Sequence, residues 1–275
     1  MKRPGIIFYI IIVSSFLHTP SFAQRDSSAQ NIRLNQVGFY PQAEKKAIIL
    51  TSDTGIFYLK NVNHKIVFTG KLMPNTNRTF SGKQSSVANF SAFEKIGIFY
   101  LSIPSTGNSY PFSIKSAVHN SAALATVKAF YYQRASLSLP ENFAGKWHRD
   151  AGHPDDKILI HPSAASKLRP VGSIVSSPGG WYDAGDYNKY IVNSGISTAT
   201  LLSIYEDFPS YTVGVKLTIP ERKNKLPDIL DEVVWNLRWM LTMQDPFDGG
   251  VYHKLTNADF DPMIMPKDAV KDRFM

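Results

Sequence analysis

The sequence predicts two domains of different class, a small all-β domain followed by a helical one. From Ile32 to about Lys115, short runs rich in β-branched and aromatic residues alternate with turn signals such as Asp53-Thr54-Gly55. After Ser116 the apolar residues recur instead at three- and four-residue intervals, which is typical of amphipathic helices. We therefore expect the domain boundary between residues 113 and 120.

Six segments of the first domain have the composition and the flanking turn residues of strands. A spacing of roughly 8–12 residues between such segments is typical of a small antiparallel sandwich. The first domain is accordingly predicted to be all-β. The predicted strands are Lys46 to Leu50, Ile56 to Lys60, Lys65 to Leu72, Val87 to Phe93, Ile98 to Ile103 and Tyr110 to Ile114.

Three segments of the second domain carry helical periodicity: Ala117 to Leu137, Asn193 to Asp207 and Asp228 to Gln244. The third is apolar over most of its circumference, as in a helix that is buried among others. Residues 140–180 show neither period and are predicted to be irregular. Because three helices do not bury faces this broad, we interpret the chain as the amino-terminal part of a longer protein.

The charge pattern does not predict nucleic-acid binding. The 275 residues carry a formal net charge of +8, but Lys and Arg are scattered, and only Arg222 to Lys225 form a short run. This distribution indicates a solvated surface rather than a track for phosphates. The sequence contains no cysteine, which excludes disulfides, thiolate zinc sites and a cysteine nucleophile.

The amino terminus has the pattern of a signal peptide. Lys2 and Arg3 precede an apolar run from Ile6 to Leu17, and Ser21-Phe22-Ala23 suits cleavage after Ala23. The run is short for a membrane span. We therefore predict a signal peptide over residues 1–23 and a secreted or periplasmic protein without a membrane partner after cleavage.

The stretch from Gly179 to Tyr190 sets Asp183 and Asp186 three residues apart between glycines and aromatic residues. The residues alone leave three interpretations open. The pair is a helix-start or turn device, a calcium loop with Asn188 as a further oxygen ligand, or a pair of carboxylates that orients and deprotonates a water. The spacing does not match an EF-hand.

Several ordered blocks resemble glycoside hydrolase family 9, the endoglucanase and cellulase family. Residues 183–186 resemble its Asp-Ala-Gly-Asp signature, and Ile32 to Phe39 resembles the start of the immunoglobulin-like module that precedes the catalytic domain in many bacterial members. The resemblance covers almost all of the chain after the leader. The blocks of the second domain are Gly179 to Tyr190, Leu226 to Glu232, Trp239 to Gln244, Gly249 to Lys254 and Met265-Pro266.

The resemblance implies an immunoglobulin-like β-sandwich over residues 31–115 and, over residues 117–275, the amino-terminal part of an all-α (α/α)6 barrel. It implies an inverting hydrolase of β-1,4-linked glucans, in which Asp186 is the general base and Asp183 helps to hold the attacking water. The proton donor of the family is a Glu that we expect beyond residue 275. We assign that role to none of Glu206, Glu221 and Glu232, so the isolated chain is expected to be catalytically incomplete.

The resemblance also implies that His253 contacts the substrate, although a hydrogen-bonded structural role is the alternative for a lone histidine. Trp181 and Tyr182 flank the signature and are candidates for stacking on sugar rings, with a role in the core as their alternative. Zinc-containing members carry a Cys and His set before the signature. Here Tyr182 stands where His is frequent and no Cys exists, so we predict no metal cofactor and no structural zinc, despite His148, His153 and His161, and leave calcium open.

The predicted partner is a β-glucan polysaccharide or oligosaccharide. The first domain is interpreted as a packing partner of the catalytic domain, and sugar binding by it is the alternative. Two other functions stay open, an exo-β-glucosaminidase of the same fold and a non-catalytic glycan-binding protein.

Overall fold

The computed structural model describes residues 27–76 and 82–275. It separates into two compact units, with the division between Val118 and His119. The predicted signal peptide lies outside the described residues. Within the described ranges, no helix has both the length and the apolar character needed to cross a membrane.

The first unit consists of short antiparallel strands in two sheets. One sheet has the order β1-β2-β6-β5, and the other has the order β4-β3-β7-β8, with β9 also paired to β7. A 3-10 turn, Ser27–Asn31, precedes β1. The strands are β1 Ile32–Arg33, β2 Lys46–Ile49, β3 Ile56–Asn61, β4 Ile66–Lys71, β5 Met73–Pro74, β6 Ser86–Asn89, β7 Gly97–Ile103, β8 Gly107–Asn108 and β9 Phe112–Ile114.

Alternation along these strands builds one apolar core between the two sheets. In β3, Phe57 and Leu59 are fully buried while Ile56 is exposed, as expected for a strand with one face covered. Phe39 and Phe112 pack edge to face with ring centroids 5.4 Å apart. Each of the six predicted strands overlaps an observed one, so the all-β prediction for this domain is confirmed.

The second unit contains the three predicted helices and two short ones. They are α1 Asn120–Gln133, α2 Glu141–Ala144, α3 Ile191–Asp207, α4 Pro209–Gly214 and α5 Asp228–Thr242. Helix α1 ends earlier than predicted because Arg134 turns into an extended conformation and forms a bridge with Trp181. Pro209 does not only close α3. It also begins α4, because proline suits the first turn of a helix.

The second unit also contains a five-stranded sheet, which the sequence did not predict. Its order is β11-β10-β14-β13-β12, and the strands are β10 Ile158–Leu159, β11 Ile174–Val175, β12 Lys189–Tyr190, β13 Lys254–Asn257 and β14 Arg273–Phe274. The expectation that residues 140–180 are irregular is therefore wrong in part, because β10 and β11 lie in this range. Four of these strands are only two residues long, which is too short to leave a detectable period.

Ion pairs as well as apolar contacts hold the second unit together. The guanidinium of Arg134 is buried, and its Nε lies 3.1 Å from Oε2 of the equally buried Glu232 on α5. Its Nη1 lies 2.8 Å from Oε1 of Glu221. This arrangement gives Glu232 a structural role, in agreement with its not being assigned as the proton donor.

Candidate active site

The stretch from Gly179 to Tyr190, which contains the Asp-Ala-Gly-Asp signature, is called the signature segment below. It begins with two glycines in left-handed conformations, Gly179 at φ +86° and Gly180 at φ +75°. A Cβ atom on Gly180 would lie 2.6 Å from the ring of Trp239. The carbonyl of Gly180 accepts hydrogen bonds from the backbone N–H of Ala135 and from Nε1 of Trp235, each at 2.9 Å. This position therefore requires glycine for both its backbone angle and its close contact with α5.

The two aspartates lie on one closed turn. The backbone N–H of Asp183 donates to the carbonyl of Asn188 at 2.9 Å, and that of Tyr187 donates to the carbonyl of Ala184 at 3.1 Å. Tyr187 has a positive φ of +60°. The turn places both aspartates immediately before α3.

The surroundings of the two carboxyl groups differ. Asp183 is exposed, and its Oδ1 accepts a 2.8 Å hydrogen bond from Nδ2 of Asn193 in the first turn of α3. Asp186 is half-buried, and its Oδ2 accepts a 3.0 Å hydrogen bond from Nδ2 of Asn188. Its Oδ1 is buried and has no hydrogen-bond partner among the described residues. A buried carboxylate oxygen in this condition is suited to accept a proton or a hydrogen bond from a bound water.

The side-chain amide of Asn188 argues against the calcium-loop interpretation. Its nitrogen faces Asp186, and its oxygen accepts a 3.4 Å hydrogen bond from the backbone N–H of Asn257. The amide oxygen therefore does not face the carboxylates as a calcium ligand would. Within residues 27–76 and 82–275, no group of three or more His, Cys, Asp or Glu side chains is arranged to hold a metal ion.

A buried lysine anchors the signature segment to the interior of the domain. Lys189 is fully buried, and its Nζ lies 2.6 Å from Oδ2 of Asp155. It also donates to the carbonyls of Ser177 at 3.0 Å and Gly179 at 2.8 Å. Burial lowers the pKa of Lys189 to about 8, while the charge of Asp155 opposes this shift. The lysine thus ties the end of the segment to its beginning.

Arg273 on β14 completes this ionic network. Its Nε lies 2.8 Å from Oδ1 of Asp155, and its Nη1 donates to the carbonyl of Tyr187 at 2.9 Å. Burial lowers the pKa of Arg273 despite the nearby Asp155. The hydroxyl of Tyr187 donates to the carbonyl of Ile264. Residues distant in sequence therefore hold the turn that carries the two aspartates.

Trp181 and Tyr182 lie largely in the interior, with 5% and 4% of their surface exposed. The Trp181 ring packs against Phe130 with centroids 4.8 Å apart, and the Tyr182 hydroxyl donates to the carbonyl of Gly152 at 3.2 Å. Little of either ring is left for stacking on a sugar, which favours the alternative role in the core. A small cavity of about 170 Å³ reaches both rings and is lined by Phe130, Gln133, Trp181, Tyr182, Asp183, Tyr190, Asn193, Ser194 and Ser197.

His153 lies beside Tyr182, with Nδ1 2.9 Å from the tyrosine hydroxyl. Burial lowers the pKa of His153 to about 4, and the positive charge of Arg273 adds to this effect. Burial raises the pKa of Tyr182 to about 12. The pair is therefore neutral at physiological pH and forms a hydrogen bond between uncharged groups.

His253 is exposed and comes to the signature through the unpredicted sheet. Strands β12 and β13 pair Tyr190 with Lys254, and the N–H of Ile191 donates to the carbonyl of His253 at 3.1 Å. The rings of His253 and Tyr190 are 6.4 Å apart. The sheet therefore brings the predicted substrate-binding histidine next to the end of the signature.

Tyr190 was not predicted as a site residue. Burial raises its pKa, and the charges of Asp186 and Asp183 raise it further, so that its hydroxyl stays protonated near both carboxylates. Asn193, Asp155 and Arg273 were also missed, and Asn188 was considered only as a calcium ligand. The only sequence signal for the two asparagines was their position, Asn188 within the signature segment and Asn193 at the start of α3. Nothing in the sequence linked Asp155 or Arg273 to the signature segment.

A larger cavity of about 650 Å³ lies on the His253 side of the unit. Neither Asp183 nor Asp186 lines it, so its size does not identify the catalytic position. Its walls include Arg169, Tyr252, His253, Lys254, Phe260 and Phe274.

Two family profiles match the chain. The profile of glycosyl hydrolase family 9 matches residues 119–273, and that of the cellulase N-terminal ig-like domain matches residues 27–108. The fold and the acidic turn thus belong to a catalytic domain of the glycoside hydrolases, preceded by an immunoglobulin-like domain. Since the first profile covers more than half of the chain, the protein belongs to glycosyl hydrolase family 9. The resemblance drawn from the sequence is confirmed.

Similar proteins agree with this assignment. The xyloglucan-specific endo-beta-1,4-glucanase BoGH9A of Bacteroides ovatus is 48% identical over 258 residues, which are 94% of this chain and 43% of the relative. Endoglucanase D of Acetivibrio thermocellus is 33% identical over 248 residues, which are 88% of this chain and 38% of the relative. The chain spans less than half the length of these two relatives.

Solved structures have the same fold over most of the chain. The structure of Bacteroides ovatus GH9 superposes with a TM-score of 0.85 at 47% identity, covering 90% of this chain and 45% of that one. The structure of AaCel9A in complex with cellobiose-like isofagomine superposes with a TM-score of 0.79 at 30% identity, covering 89% of this chain and 43% of that one.

Proposed function

We propose that this protein is an inverting glycoside hydrolase that cleaves β-1,4-glucosidic bonds in cellulose-like or related β-glucans. The observation that carries the proposal is the closed turn on which Asp183 and Asp186 lie together, with a buried and unpartnered oxygen on Asp186. In this proposal residues 31–115 form the immunoglobulin-like domain, and residues 117–275 form part of an (α/α)6 catalytic barrel. Residues 1–23 direct the protein to secretion or to the periplasm.

Asp186 is the proposed general base. Its Oδ1 takes a proton from a water while the water oxygen bonds to the anomeric carbon, and the glycosidic C–O bond breaks on the opposite face of the sugar. Asp183 holds the same water through its Oδ2, because its Oδ1 is occupied by Asn193. A second carboxyl group protonates the leaving oxygen, at roughly 6.5–9.5 Å from the base in inverting enzymes. From the family resemblance we expect that acid to be a Glu beyond residue 275.

The substrate is proposed to be a β-1,4-glucan that lies along the Asp186 and His253 side of the unit. His253 is exposed, its ring is 6.4 Å from that of Tyr190, and the Tyr190 hydroxyl stays protonated. Both side chains are therefore able to hydrogen-bond sugar hydroxyls. The relative at 48% identity is named as xyloglucan-specific, which makes xyloglucan the first substrate to test.

The test measures reducing-sugar release by the full-length protein expressed from its natural gene. The substrates are xyloglucan, barley β-glucan, carboxymethyl cellulose and chitosan, and the variants are Asp186→Asn and Asp183→Asn. Asp186→Asn is expected to lower kcat by at least 10³-fold, since it removes the base. Asp156→Asn is the matched control, because Asp156 is exposed and lies outside the signature, and it is expected to leave kcat unchanged.

Product stereochemistry tests the inverting mechanism, and the choice of substrate separates the alternative functions. Proton NMR of the first products should show the α-anomer, as inversion at a β-linkage requires. Full activity in Asp186→Asn would refute the base assignment. Activity on chitosan alone would favour the exo-β-glucosaminidase, and binding of glucan without hydrolysis would favour the non-catalytic glycan-binding protein.

A further inference from the structure

We propose that Asn188 is a positioning residue that fixes the carboxylate plane of Asp186 for proton transfer. The inference rests on the proposed function in one respect only, namely that Asp186 is the base. It adds a residue to that site whose side chain acts through Asp186 and does not touch the substrate.

The contact itself is specific. Nδ2 of Asn188 donates to Oδ2 of Asp186 at 3.0 Å, and this is the hydrogen bond that the Asp186 carboxylate forms within the described residues. The other oxygen, Oδ1, therefore has its direction set by the amide on Oδ2. A carboxylate held through one oxygen leaves the second in a defined orientation toward a bound water.

The orientation of the amide is fixed from its other end. Oδ1 of Asn188 accepts the backbone N–H of Asn257 on β13 at 3.4 Å. A reversed amide would place two donors against each other at Asn257 and two acceptors against each other at Asp186. The sheet that carries His253 thus also orients the amide that faces the base.

Asn188 has little freedom to move. Its side chain is fully buried, and its backbone carbonyl accepts the N–H of Asp183 at 2.9 Å. Its two chain neighbours are anchored, Tyr187 through its carbonyl by Arg273 and Lys189 through its buried ammonium by Asp155. The amide is therefore attached to a rigid base and transmits that rigidity to Asp186.

Displacing a catalytic group by about 1 Å can cost on the order of 10²-fold in rate. Asn188→Ala removes the donor and lets the carboxylate rotate, so kcat is expected to fall about 10- to 100-fold while KM changes less than about threefold. Asn188→Asp keeps the shape of the side chain but places a second carboxyl group at hydrogen-bond distance from the first. Two such groups share one proton, so the acidic limb of the pH profile of kcat/KM is expected to move upward by about one unit or more.

Asn236→Asp is the matched control for burying an acid in this domain. Asn236 is equally buried, but its Nδ2 donates to Oγ1 of Thr198 at 3.0 Å and faces no carboxylate of the signature. This variant is expected to lower Tm without moving the acidic limb. The experiment records Tm, kcat, KM and the pH profile for Asn188→Ala, Asn188→Asp and Asn236→Asp in the full-length enzyme.

A second readout does not depend on activity. With ¹³C-labelled aspartate carboxyl groups, the Asp186 resonance is assigned by its loss in Asp186→Asn, and its titration midpoint is followed in the wild type and in Asn188→Asp. An upward shift of the midpoint by about one unit supports the proposal even if no β-glucan is hydrolysed, an outcome that would refute the proposed function alone. Unchanged kcat in folded Asn188→Ala, or an unchanged titration in Asn188→Asp, would refute the positioning role.

Discussion

The interiors of the two domains differ in the chemical character of their buried side chains. The first domain encloses a cluster of rings and aliphatic chains, in which Phe39, Phe90 and Phe112 pack within 5.5 Å of one another, measured between centroids. The second domain encloses apolar clusters and, in addition, buried ion pairs, with Arg134 against Glu232 and with Lys189 and Arg273 against Asp155. Apolar packing is non-directional, whereas a buried ion pair is stable only in one geometry. The directional contacts therefore lie in the domain that carries Asp183 and Asp186.

The largest expected loss of stability comes from removing the buried charge of Lys189, which anchors the signature segment. Lys189→Met leaves Asp155 with Arg273 alone and leaves two carbonyl groups unpaired, so the free energy of unfolding of the second domain is expected to fall by about 3–4 kcal/mol. All four tryptophans lie in this domain, so their fluorescence in a urea titration follows its unfolding.

Lys45→Met in the first domain is the matched control for this change. Lys45 is also fully buried, but its ammonium is held by the carbonyls of Pro41 and Ala43. Its replacement is expected to cost about 1–2 kcal/mol, measured by calorimetry of the first domain, which contains no tryptophan. An equal or larger loss for Lys45 would contradict the contrast between the two interiors.

The next effect tests the glycine at the entry of the signature. Gly180→Ala combines a positive φ with a Cβ atom 2.6 Å from the Trp239 ring, so a loss of about 2–3 kcal/mol is expected in the same urea titration. Gly172→Ala serves as the comparison, because Gly172 has a φ of +77° and no atom within 4 Å of its added Cβ. Its loss is expected to be about 1 kcal/mol. Equal losses would show that contact with Trp239 contributes nothing.

The smallest expected effect is a pH dependence. The pKa of His153 is about 4 in the folded protein, below its value of about 6.5 in an unfolded chain, because burial disfavours the charged ring. The unfolded state therefore binds the proton first, and stability is lost as the pH falls from 6.5 toward 4. About 1–2 kcal/mol is expected rather than the full value of the shift, because the fold can relax around a charged ring and let water screen it.

Urea titrations of the wild type and His153→Gln between pH 7 and pH 4 isolate this contribution. The difference in stability between the two proteins should narrow as the pH falls, because glutamine does not titrate. A constant difference across this range would mean that the pKa of His153 is the same in the folded and the unfolded protein, in conflict with its burial beside Tyr182 and Arg273.

The strand and helix predictions succeeded where periods were long. Helix α5 keeps its apolar pattern over fifteen residues, and strand β3 alternates over six, so both were located within a few residues of their ends. The sheet of the second domain was missed because its strands are short. Its longest strand, β13, spans four residues. Two of its pairings, that of β12 with β13 and that of β10 with β14, join strands that are far apart in sequence.

The residues of the candidate site were likewise predicted only where they lie within one stretch of sequence. The pair Asp183 and Asp186 and the block that carries His253 were recognisable because each lies in one continuous stretch of sequence. The expected stacking role of Trp181 and Tyr182 depended on exposure, which sequence does not report, and both rings are buried.

Local pattern and composition were enough to establish the β-sandwich, the three main helices and the acidic turn, because each depends on residues within one segment. The surroundings of the turn depend on residues that folding brings from far along the chain. Asp155 and Arg273 meet Lys189 only when β12 and β14 enter the same sheet, and Asn257 reaches Asn188 for the same reason. The burial that lowers the pKa of Lys189 and fixes the Asn188 amide is a property of that assembled interior, so only the tertiary structure determined it.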